Sequence, residues 1–273
     1  MVTSMRCGFF RSLYLVIGLG STIAHAAEFS WVPLVKGGSP MALLQGEIRP
    51  GDYNRLLDFI ATDFYGYFGK TLILASPGGD VREAMKIGAL VKSSYQTVFV
   101  DSKIGECASA CFFIYVASHE RDATWPSIAI HRPYFAKSYS AGLSIKEWEV
   151  KQSALIRQVR EYLRAQDVPG YLVEKMFSLS SSEAYWLTET DVNNLGPRAL
   201  WYDQLLVDRC GLDKSLYENF RLNAIPEKDK DRAKAHIAEV DRCSWEQIAV
   251  EREAALRKAL ASRKPSPKRP SYP

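Results

Sequence analysis

No apolar run in this chain reaches the ~20 residues that a membrane-crossing helix usually needs. No segment repeats at a fixed period, which sets aside arrays of repeated units. Histidine occurs only four times and cysteine five times. No histidine or acidic cluster stands beside a cysteine pair to complete four ligands, so no metal is expected. Neither sign of charge dominates, with 35 basic residues against 31 acidic, so no nucleic acid or other polyanion is expected as a partner. With 47% hydrophobic and 24% charged residues in 273, the composition is that of a globular chain long enough for one sizeable α/β domain with appendages.

The first residues have a pattern of their own. Arg6 and Arg11 precede the apolar stretch SLYLVIGLGSTIA, and Ala24-His25-Ala26 supplies small residues at alternate positions, the arrangement of a cleaved export signal over residues 1–26. The mature protein is then expected to be soluble and to reside in the periplasm or outside the cell, in the bacterial cell envelope. Losing Arg6 and Arg11 leaves a net charge of about +2. Arg257, Lys258, Arg263, Lys264, Lys268 and Arg269 lie in a stretch without acids, so the basic character belongs to the tail. Residues 261–273, ending KPSPKRPSYP, read as a solvated, disordered end.

Cys107, Cys111, Cys210 and Cys243 remain after the leader, an even number in a compartment that permits disulfides. The simplest pairing joins Cys210 to Cys243 and leaves Cys107 with Cys111. Within one regular helix the latter two would be poorly placed for a bridge. If Cys107 lies just before the helix, a bridge becomes feasible.

Periodicity gives the order of elements. ALLQGEI, KTLILAS, QTVFVD and SIAIHRP read as strands. PGDYNRLLDFIATDF, VREAMKIGALVKSS and ASACFFIYVAS read as the helices between them, the first two with apolar residues at helical spacing such as Leu56, Leu57 and Ile60, or Ala84, Ile87 and Val91. Strands that are apolar throughout, alternating with helices, imply a largely parallel sheet covered by helices on both sides. A long amphipathic helix then carries Trp148, Leu155 and Val159 on one face, and a strand at YWL precedes a helix stopped by Gly196. The remainder is helical and mostly solvated. The expected division is an α/β domain over 27–200, a helical extension over 201–260 and the tail.

Ligands of open parallel sheets collect beyond the carboxyl ends of the strands. Three segments belong there. SPGGD, Ser76 to Asp80, places two glycines after a strand, where backbone N–H groups are able to face a ligand oxygen. Ser109 stands at the mouth of the ASACFFIYVAS helix, where unpaired N–H groups favour developing negative charge; the plainer alternative is an N-cap. His131 ends the SIAIHRP strand at the same rim.

In order and spacing, SPGGD, GECASACFF and IAIHRPYF resemble the glycine turn, nucleophile segment and histidine strand of the Clp protease proteolytic subunit in the ClpP/crotonase superfamily. The resemblance spans about residues 46–196. It implies a ClpP/crotonase-like fold, Ser109 as nucleophile, His131 as base, and an oxyanion hole from the amides of Gly79 and Ala110. It also implies a peptide substrate, no cofactor, and self-association through the long helix from Ile145, which otherwise simply covers the sheet. One position departs from the family pattern: Met176 stands where the family has an aspartate that orients the histidine, ahead of LSSSEA at Leu179 to Ala184. Glu174, Ser180 and Glu183 are the substitutes at hand.

Two readings follow. One is an exported serine hydrolase, a peptidase or esterase working without metal, cofactor or ATPase partner. The other is an inactive binding or scaffold protein of the cell envelope on the same fold. Coenzyme A thioester chemistry fits the fold but not export.

Overall fold

The structure is a computed structural model and describes residues 26–33, 40–134, 142, 144–180 and 183–263. The expected leader up to residue 25 and the tail from 264 lie outside the described residues.

Strand β1 (Glu28–Pro33) pairs antiparallel with β2 (Pro40–Gln45). Gly51, at φ 98°, then turns the chain into α1 (Asp52–Thr62), which is followed by the single turn α2 (Phe64–Tyr67). Strand β3 (Leu72–Ala75) is buried at every residue and leads through the diglycine turn into α3 (Val81–Ser93), whose first turn is capped by Asp80 accepting from the Glu83 amide at 2.7 Å. Next come β4 (Val98–Val100), β5 (Cys107–Ala108), α4 (Cys111–Ala117), β6 (Arg121–Ala123) and β7 (Ile128–Ile130). The long α5 (Ile145–Ala165) opens on a Ser144/Glu147 capping box and is followed by α6 (Gly170–Ser178), β8 (Tyr185–Trp186) and α7 (Glu189–Leu195). The chain closes with α8 (Leu200–Cys210), α9 (Lys214–Arg221) and α10 (Lys230–Ala261).

The expected mixed α/β class, with parallel strands, covering helices and a helical C-terminal part, is what forms. The single sheet is divided: among the described residues the strands form two. The larger runs β1-β2-β3-β4-β6, parallel from β2 onward, and the smaller runs β5-β7-β8, with β5 and β7 parallel and β8 antiparallel. A parallel bridge between Ser76 and Cys107 joins them, so the smaller sheet starts where β3 ends.

All seven residues of α4 are buried, and side chains such as Phe112 and Ile114 contribute ~1.5–3 kcal/mol each by leaving water. The helix lies against α3 at Gly88, where a Cβ would fall 3.0 Å from the Phe113 carbonyl. Tyr162 of α5 donates to that same carbonyl at 2.8 Å. At its other end, Arg121 donates to the carbonyls of Val116, Leu195 and Gly196. These are carbonyls that helix ends leave without partners.

The C-terminal helices build a second apolar cluster, including Tyr202, Leu206, Val240 and Ile248, closed by a Cys210–Cys243 disulfide. Leu256 and Ala259 of α10 join the main core instead. Among the described residues no helix is long and apolar enough to cross a membrane.

Candidate active site

The site is assembled where the two sheets meet. Beyond β3, Ser76 donates its amide to Glu106 at 2.7 Å and accepts from the Ala108 amide at 2.9 Å. The turn that follows holds Gly78 at φ 103° and Gly79 at φ 135°, conformations that side chains other than hydrogen rarely permit. A Cβ on Gly78 would sit 2.5 Å from the Ser109 Cβ and 2.8 Å from the Ala110 nitrogen, and one on Gly79 would sit 2.1 Å from the Ile48 carbonyl oxygen. Glycine at both positions is therefore a steric requirement, and the turn lies directly against Ser109 and Ala110.

Ser109 precedes α4 and adopts φ 57°, left-handed backbone that costs a serine of order 1 kcal/mol or more. Its amide donates to Ala129 of β7 at 2.9 Å and its carbonyl accepts from Phe112 at 3.1 Å. The N-cap position of α4 belongs to Ala110, and no side chain caps the helix. The hydroxyl is thus not consumed in capping, which answers the plainer alternative for this serine. Among the described residues, neither the Gly79 amide nor the Ala110 amide donates to an acceptor.

His131 follows β7 directly. The pairing of Cys107 with Ile128 and Ala108 with Ala129 sets the carboxyl ends of β5 and β7 side by side, so Ser109 and His131 leave from one edge. The Nδ1 of His131 lies 2.9 Å from the Arg132 carbonyl. A carbonyl only accepts, so Nδ1 is the donor in this contact and Nε2 is the nitrogen left to face a substrate. No hydrogen bond joins the Ser109 hydroxyl to the His131 ring. Tyr134 stands beside the ring at 5.8 Å, and the half-exposed Trp186 is paired across the sheet with Ala129.

The three groups considered for orienting the histidine are engaged elsewhere. Glu174 is held by Arg160 at 2.5 Å, and that bond keeps its carboxyl below the usual range. Glu183 accepts from the Ser180 amide at 2.8 Å and from its hydroxyl, with the same effect on its carboxyl. Met176 is 1% exposed within the main core. The Arg132 carbonyl was not foreseen, because a main-chain acceptor has no residue type to betray it. Gly78 was foreseen as part of the turn but not as the residue pressed against the serine.

Cys107, the first residue of β5, is bridged to Cys111, the first residue of α4, with the Cα atoms 5.2 Å apart. The bridge therefore has the geometry anticipated for a cysteine lying just ahead of the helix. Among the described residues no group of three potential ligands is placed to hold a metal ion.

No protein-family model matches the chain, and no curated protein does. Solved structures give partial likenesses. A variant of the 1510-N membrane-bound stomatin-specific protease aligns with a TM-score of 0.39 and 18% identity over 62% of this chain and 83% of that chain. A ClpP1 variant from Listeria monocytogenes aligns with a TM-score of 0.37 and 22% identity over 57% and 86%. A second variant of the stomatin-specific protease, in complex with a substrate peptide, aligns with a TM-score of 0.35 and 17% identity over 54% and 65%.

Proposed function

We propose that this protein is a serine hydrolase of the ClpP type that cleaves peptides or esters. The observation that carries the reading is the pair of unpaired amides, Gly79 and Ala110, beside a serine in left-handed backbone whose hydroxyl caps nothing. In this mechanism the Ser109 oxygen attacks the acyl carbon while His131 Nε2 takes its proton. The two amides stabilise the oxyanion of the tetrahedral intermediate. As that intermediate collapses, His131 returns the proton to the leaving group, and water then hydrolyses the acyl-serine by the same steps.

The Arg132 carbonyl fixes the histidine tautomer, the service whose loss costs a triad about 10⁴ in turnover. Being uncharged, it stabilises the imidazolium less than a carboxylate would, so turnover below that of a full triad is expected. The residues need no metal or organic cofactor for this chemistry. Two disulfides support a site of action in an oxidising compartment of the cell envelope, where no ATP-driven partner is expected and small or unfolded substrates are the accessible class. The α/β part over 27–200 carries the site, with 201–260 as its helical extension, and self-association through α5 is part of the same reading.

A second reading, binding without turnover, is favoured by the absent hydrogen bond between Ser109 and His131 and by Met176. Catalytic hydrogen bonds often tighten only when substrate arrives, so hydrolysis remains the preferred assignment. A fluorophosphonate probe decides between them. Labelling of the wild type that disappears in Ser109→Ala supports hydrolysis; a wild type that is not labelled leaves the binding reading.

A further inference from the structure

We infer that the Cys107–Cys111 disulfide is a positioning element for the nucleophile, setting the backbone of Ser109 rather than merely stabilising the fold; this rests on the hydrolase reading above. The bridge runs from the first residue of a two-residue strand to the first residue of a helix and encloses three residues, Ala108, Ser109 and Ala110. Both cysteines are fully buried, while Ser109 between them is half exposed.

Three observations give the bridge this role. First, left-handed backbone at a non-glycine residue persists only where the surroundings over-determine it. On one side the constraint comes from Gly78 and from the bond between the Ser109 amide and Ala129. The disulfide supplies it on the other. Second, α4 begins without a side-chain cap, its N-cap residue being an alanine, so the covalent bridge takes the place of a cap in tying the first turn to β5. Third, stabilisation through loop closure grows with the length of chain enclosed. A separation of 4 contributes less in that way than the separation of 33 between Cys210 and Cys243.

Opening the bridge would relax the turn by a definite route. A dithiol reductant would deliver two electrons and two protons to the S–S bond, leaving two thiols and itself becoming a disulfide. Bonded sulfurs sit far inside van der Waals contact. Both cysteines are fully buried, so in a close-packed interior the two thiols move apart at the expense of their neighbours and carry the ends of the Ser109 turn with them.

The test compares the wild type with Cys107→Ala/Cys111→Ala, and with Cys210→Ala/Cys243→Ala as a control, by the kinetics of fluorophosphonate labelling resolved into a binding constant and a maximal rate. The positioning role predicts a maximal rate at least tenfold lower in the first variant, with the binding constant within about twofold, and no change in the control. Equal maximal rates in folded wild type and folded first variant would overturn it while leaving hydrolysis intact. A wild type that does not label removes the hydrolase reading and this inference with it. Should the first variant not fold, the wild type is titrated with dithiothreitol and the open fraction of each bridge is read by mass spectrometry. A labelling rate that follows the opening of Cys107–Cys111 supports the inference, and one indifferent to it overturns it.

Discussion

Gly78 lies so close to Ser109 that a Cβ on the glycine would fall 2.5 Å from the serine Cβ. Two turns from different sheets are thereby locked together, and the two amides without acceptors, Gly79 and Ala110, come one from each. Gly78→Ala would also meet the φ of 103°, so a destabilisation of roughly 1–3 kcal/mol is expected from backbone strain. Displacement of Ser109 should cost far more in reactivity. We expect labelling to fall by about 10²-fold in protein that still melts cooperatively, since removing one oxyanion donor alone has effects of about that size. Wild-type labelling in this variant would contradict the contact.

His131 is held through Nδ1 and works, in the proposed mechanism, through Nε2. His131→Asn retains an amide N–H where Nδ1 stands and offers no base. Its hydrolysis of an activated ester should fall by about 10⁴ or more, since losing the base of such a site costs up to about 10⁶ in turnover, with thermal stability close to wild type. Undiminished hydrolysis would place the base elsewhere.

His119, 3% exposed, lies beneath Tyr202 with ring centroids 4.6 Å apart. Burial, and then the nearby Arg252, push its pKa down to about 3. A histidine with a depressed folded pKa is neutral in the fold and charges first in the unfolded chain, so its contribution is complete above about pH 6.5 and is lost as pH falls toward 3. Between pH 7.5 and 4.5 the loss from this residue should be about 2–3 kcal/mol. Urea melts at the two pH values should show His119→Phe losing less than wild type by that margin. Identical losses would remove His119 from the account.

Cys210 and Cys243 close a separation of 33 residues. On the chain-entropy account their bridge stabilises the fold by ~3–4 kcal/mol. The double alanine variant should lower the urea midpoint accordingly. A midpoint equal to wild type would show that the α8–α10 pairing stands on its apolar contacts alone.

Sequence reading reached the elements whose residues sign themselves. LILA is apolar at every position because both faces of the sheet are covered there, Leu72 and Leu74 by the main core and Ile73 and Ala75 by a smaller apolar cluster, and the helix from Ile145 shows itself by its apolar face. Strand β5 is only two residues long, too short for any period, and with it hidden the division into two sheets was hidden as well. Strand β1 is an edge with mixed exposure, so it carries no apolar run. At the candidate site, the residues whose type suggests the proposed chemistry, Ser109, His131 and the diglycine, could be singled out from the sequence, and the structure places them along one edge. The left-handed backbone of Ser109 and the Arg132 carbonyl could not be singled out, because neither depends on a side chain.

The guanidinium of Arg252, late in α10, donates to the carbonyls of Ser94 and Tyr95 at 3.1 and 2.9 Å. Those carbonyls end α3, the helix that starts from the diglycine turn. The far end of the described chain is therefore a keystone for the strand-to-helix passage that shapes the candidate site: expression designs that trim the protein ahead of residue 252 would strip partners from interior oxygens.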